Sequence, residues 1–89
     1  MEAIEKIDTL FSNLESKDNK IRYEAFQELL AITDNEVEWV YCKWFELIAK
    51  LSSDNSYQRS IGLMMLANLA KSDHENRISE ILMKFFGSF

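Results

Sequence analysis

The chain has 89 residues, enough for one domain, and a net charge of −5 with acids and bases interspersed, which argues against binding a phosphate backbone. Apolar residues make up 47%, enough for a core, although a chain of this size buries only about 60% of its unfolded surface. No proline, two glycines and one cysteine (Cys42) exclude an internal disulfide and favour long helices in a reducing compartment.

Five helices are predicted, giving an all-α fold in a single domain. The first spans 3–15, where Ile4, Ile7, Phe11 and Leu14 recur at helical spacing. Ser16 or Asp18 can accept a backbone N–H and start the second, over 18–33. Its apolar stripe is Ile21, Ala25, Leu29 and Ile32, widened by Phe26 and Leu30. A third is predicted over 35–52, because Val37, Val40, Tyr41, Trp44, Ile48 and Leu51 share one side of a helical wheel. Asn35 with Glu38, or Thr33 with Glu36, has the spacing of a capping box that would start it.

The fourth helix, over 55–71, contains "IGLMMLANLA" and is apolar nearly all round, so it is expected to be the most buried. Met64 and Met65 read as core filling. Gly62 costs the helix about 1 kcal/mol against alanine, and close approach of a neighbouring helix is the expected reason. The fifth helix spans 75–86, with Ser72 and Glu75 in capping-box spacing and Ile78, Ile81, Leu82, Phe85 and Phe86 on one stripe. Short loops imply that successive helices pack antiparallel. No segment approaches the roughly 18 apolar residues of a membrane span, and "MEAIEKIDTLF" lacks the apolar run of a signal peptide. A soluble, cytoplasmic protein with no membrane contact is expected.

Two stretches repeat. Aligning "DNKIRYEAFQEL" with "DNSYQRSIGLMML" puts Asp18 and Asn19 on Asp54 and Asn55 and, with one inserted residue, Arg22 on Arg59. Ala25 then falls on Gly62, Phe26 on Leu63, Leu29 on Leu66 and Ile32 on Leu69; Gln58 stands where the first stretch has Ile21. The period is one helix pair, within the range of helical solenoids. An acidic turn, an apolar residue before arginine, a small residue three on and spaced leucines together resemble the HEAT-repeat family, over about residues 3–72. The resemblance implies an α-solenoid of about two helix pairs plus a fifth helix. It also implies a concave face of second helices of the kind commonly used to bind proteins.

Arg22 and Arg59 fall on the apolar side of their helices, where a charge needs partners. They read as structural arginines bonded to loop carboxylates or carbonyls, with Asp18 and Asp54 as candidates. Candidate partner-binding residues are Glu24, Gln27 and Glu28 on the second helix, Ser60 on the fourth, Trp39, and the terminal Phe85, Phe86 and Phe89. Trp39 shares the polar side of its helix with Lys43 and Lys50. It either anchors a partner, as tryptophan often does, or folds back over the preceding loop. The terminal aromatics fold back on the fourth helix, dock on a second copy to make a homodimer, or meet a continuation of the array.

His74 and Cys42 are too few for a zinc site, and Cys42 reads as an inert, half-buried thiol. No GxSxG, P-loop or GxGxxG motif occurs, and no catalytic residue, metal or cofactor is expected. The leading expectation is a non-enzymatic protein-interaction module with no nucleic-acid partner. The alternative is a relative of the HEAT-like DNA glycosylases that act on alkylated bases, which only the family resemblance suggests.

Overall fold

The computed structural model describes residues 4–86. The order is α1 (Ile4–Asn13), α2 (Asn19–Thr33), α3 (Trp44–Leu51), α4 (Ser56–Leu69), a 3-10 turn (Ala70–Ser72) and α5 (Arg77–Phe86), and the described residues form no strand. α1 packs on α2, α3 on α4, and α2 on α4. The molecule measures 36 × 31 × 18 Å, so its short dimension holds two helices of about 10 Å each.

The core uses the expected stripes in part: Ile4 and Ile21, expected on them, are exposed, and Leu10 and Leu47, outside them, are buried. Ile7, Leu10, Phe11 and Leu14 meet Ala25, Phe26 and Leu29, and these continue into Trp44, Leu47, Leu51, Ile61, Met65, Leu66 and Leu69. Gly62 sits where α3 comes closest. A Cβ added there would lie 2.8 Å from the Cβ of Lys50, so the expected close approach is real. α4 is not buried all round: Leu63 and Met64 are exposed, and of the two adjacent methionines only Met65 fills core.

The two helix pairs start in the same way. The Ser16 hydroxyl accepts from the Asp18 N–H and the Ser53 hydroxyl from the Asn55 N–H. The Asp18 carboxylate caps α2 through the Lys20 N–H at 2.8 Å, and the Asn55 side chain caps α4 through the Tyr57 N–H at 2.8 Å. The repeat is therefore in register at 37 residues, from Arg22 to Arg59, with no insertion. Asp18 corresponds to Asn55, and Asp54, expected as the equivalent acid, lies one residue before the cap. Asn55 takes the cap because its neutral amide oxygen accepts an N–H as a carboxylate does.

The third helix starts at Trp44, not at residue 35. Residues 34–43 form an irregular strap, and neither expected capping box starts a helix. Trp39 and Trp44 are both buried, yet five residues apart on a helix they would point about 140° apart. Breaking the helix lets Trp39 turn in against Phe11, with ring centroids 5.9 Å apart and planes at 87°. The strap's backbone finds partners elsewhere: the Val37 N–H donates to the Ser72 hydroxyl at 2.8 Å, and Cys42 and Lys43 donate to the Trp39 carbonyl. Ser72 is thereby drawn away from the capping role expected of it.

Candidate interaction surface

α2 and α4 lie side by side. The Asn68 amide on α4 donates to the Leu30 carbonyl, the Thr33 hydroxyl and the Asp34 carboxylate, each at 3.2 Å. It thereby satisfies part of the free C-terminal end of α2. Glu24, Gln27 and Glu28 are exposed on α2, and Ser60 is exposed on α4, as expected. Glu28 pairs with Lys6 of α1 at 2.8 Å. Among these polar groups stand Tyr23, Tyr57, Leu63 and Met64, all substantially exposed.

Arg22 and Arg59 do what the sequence suggested, through carbonyls. Arg22 Nη1 donates to the Ser16 carbonyl at 2.8 Å and Arg59 Nη1 to the Ser53 carbonyl at 2.7 Å, so each arginine ties its helix to the turn before it. Neither uses an aspartate. Arg22 also reaches the Asn19 side chain, and its guanidinium stacks on the Tyr57 ring of α4, 4.9 Å from the centroid. Arg59 has no described ring above it and is exposed.

A groove of about 670 Å³ separates α1 from α3, lined by Asp8, Phe11, Glu15, Lys43, Glu46 and Lys50 among others. Lys50 is a surprise: only 5% of its surface is exposed, whereas the expected helix put it on the polar side. Its ammonium donates to the Gln58 side-chain carbonyl at 2.6 Å and pairs with Glu15, while Gln58 donates to the Leu14 carbonyl at 2.9 Å. Lys43 pairs with Asp8 and, at 3.0 Å, with Glu46, above the Phe11 ring. The Asp8 hydrogen bond, working against partial desolvation, holds the Lys43 ammonium above its ordinary pKa. Both lysines of the groove are thus already paired.

Asp73 joins the strap to α5. One carboxylate oxygen accepts from the Tyr41 hydroxyl at 2.5 Å and the Arg77 N–H at 3.0 Å, the other from the Ile78 N–H at 2.7 Å. Asn76 takes a left-handed turn (φ 56°) that leads into the helix. Burial by itself would raise the Asp73 carboxyl, but the hydrogen bonds from Tyr41, Ile78 and Arg77 outweigh it and leave the pKa below the ordinary value. Tyr41 moves the other way, raised by desolvation and by its bond to that carboxylate. The Arg77 guanidinium lies over the Tyr41 ring at 4.7 Å.

Trp39 belongs to the core and is no surface anchor; its ring meets Phe11 of α1 rather than the preceding loop. Cys42 is exposed, not half-buried, because it rides on the strap. His74 is also exposed, 3.7 Å from Glu36. Phe89 and the side chains of Phe85 and Phe86 lie outside the described residues. No helix among the described residues is long and apolar enough to cross a membrane, and no cluster of three or more His, Cys, Asp or Glu among them could hold a metal. Lys50, Gln58 and Asp73 were missed because each also bonds a group more than thirty residues away: Glu15, Leu14 and Tyr41. The only signal for Gln58 was its replacement of an isoleucine in the repeat.

No family model, curated protein or solved structure matches this chain.

Proposed function

We propose that the chain is a non-catalytic protein-interaction module of HEAT-like helix pairs, working in the cytoplasm and binding a protein partner through the outer faces of α2 and α4. One observation carries this reading: Tyr23, Tyr57, Leu63 and Met64 are exposed on two adjacent helices, among the polar Glu24, Gln27, Glu28 and Ser60. Aromatic and methionine side chains ringed by polar groups are the composition of a protein interface. Lys6 holds Glu28 and Arg22 holds the Tyr57 ring, so Tyr23, Gln27, Leu63 and Met64 are the open part of these faces.

The test is affinity capture with the intact chain and with Tyr23→Glu and Gln27→Arg variants. Both positions are exposed, so both variants keep the fold. The expected result is a protein recovered by the intact chain and lost with either variant. Recovery of no protein, or equal recovery by all three chains, would refute the reading.

A further inference from the structure

Within the chain, α4 docks on one flank of α2. That flank is Arg22, Phe26, Leu30 and Thr33, and the 37-residue register gives the same flank of α4 as Arg59, Leu63, Ala67 and Ala70. The two flanks differ in what covers them. Phe26 is 8% exposed, and Leu63 in the equivalent place is 39% exposed. Thr33 is fully buried, and its equivalent Ala70 is exposed. Arg22 carries the Tyr57 ring, and Arg59 carries no described ring. α4 therefore presents the receiving half of an interface whose other half the chain already displays.

We propose that the Arg59–Leu63–Ala67 flank of α4 binds an amphipathic helix of a partner protein, which lays an aromatic ring on Arg59 and aliphatic side chains against Leu63 and Ala67. The pattern of that helix is taken from α4: Tyr57 and Asn68, which meet Arg22 and the C-terminal end of α2, with the buried Ile61 and Met65 between them on the same side of the helix. The interface inside the molecule fixes the occupant's chemistry, and the same comparison disfavours a second copy. The outer flank of α2, which a head-to-tail copy would bring, carries Lys20, Glu24, Glu28 and Ala31 at those positions. Lys20 would then face Arg59, and two carboxylates would face apolar surface. This inference rests on the proposed interaction function and specifies its partner.

The probe is a labelled helical peptide with tyrosine, isoleucine, methionine and asparagine at that spacing on an alanine, glutamate and lysine background. It is titrated onto the full chain by fluorescence anisotropy. Saturable binding is expected, about tenfold weaker in Leu63→Glu, a variant that stays folded because the position is already open. Replacing the peptide's tyrosine by alanine weakens binding roughly threefold, and Arg59→Ala removes that difference. No saturable binding, or binding indifferent to Leu63→Glu, overturns the inference. Self-association of the chain that Leu63→Glu abolishes also overturns it, by identifying the occupant as a second copy. If Tyr23→Glu still abolishes partner capture in either case, the interaction function stands and only the assignment of this flank falls.

Discussion

Gly62→Ala separates two opposed effects in one substitution. In an open helix the change stabilises by about 1 kcal/mol, the difference in helix propensity. Here the new methyl group would sit 2.8 Å from the Lys50 Cβ and 3.5 Å from the Leu47 carbonyl oxygen and the Leu51 nitrogen. Unstrained carbons sit about 3.5–4.0 Å apart, so α3 and α4 must part by roughly 1 Å. The Lys50 Cβ cannot swing aside, because it is fixed to the α3 backbone. Overpacking of this kind costs about 1–3 kcal/mol, which outweighs the propensity gain. The expected result is a net loss of about 1 kcal/mol, or 4–8 °C in Tm for a domain of this size, read by thermal circular dichroism. Ala25→Gly, at the equivalent position of α2, also destabilises by about 1 kcal/mol, so both exchanges lower Tm. A rise in Tm for Gly62→Ala would refute the close packing of α3 on α4.

Two further outcomes follow from the strap. Asp73 has a lowered folded pKa, so its stabilisation is complete above the unfolded value and is lost as pH falls through the folded one. Tyr41 has a raised pKa, so its share is complete below about 10 and lost as pH rises beyond that. Urea midpoints should be flat from about pH 5 to 9 and fall on both sides, and Asp73→Asn should blunt the acid limb; an unchanged acid limb would remove Asp73 from its place at the head of α5. Trp39→Ala should cost about 3–5 kcal/mol as a core cavity, whereas Trp39→Phe, which leaves a smaller cavity, should cost less. The milder loss follows because the buried indole N–H has no hydrogen-bond partner to lose. Equal losses for the two variants would contradict that packing.

The helices α1 and α2 were legible in the sequence, because Ile7, Phe11 and Leu14 and then Ala25 and Leu29 are buried as their spacing marks; α4 was not, since its all-round apolar run buries only one side. Nor was the strap. Val37, Val40 and Tyr41 keep helical spacing with Trp44, and only the burial of Trp39 together with Trp44 breaks it, a three-dimensional requirement that periodicity does not carry. Arg22 was legible as a structural group, since a charge on an apolar stripe needs partners wherever it lies; Arg59, expected on the same side of α4, is exposed. Neither acceptor was legible, since a carbonyl six residues back has no identity in sequence. Lys50 reads as solvated because neither partner shares its helix: Gln58 lies eight residues on, across the turn in α4, and Glu15 thirty-five residues back. The exposed flank of α4 becomes visible only when the repeat is compared with itself position by position.

The chain running from Lys50 through Gln58 to the Leu14 carbonyl has a consequence for how the molecule comes apart. In a linear array, stability divides into what each unit supplies alone and what neighbouring units supply to each other. Here the second unit closes the helix end of the first with a buried amide, and the first unit supplies the acceptor that keeps that amide satisfied. Separating the pairs takes the Leu14 carbonyl from Gln58 and Glu15 from Lys50, and it also opens the apolar core that the two pairs share. A single unfolding transition is therefore the expected outcome, with neither helix pair melting on its own.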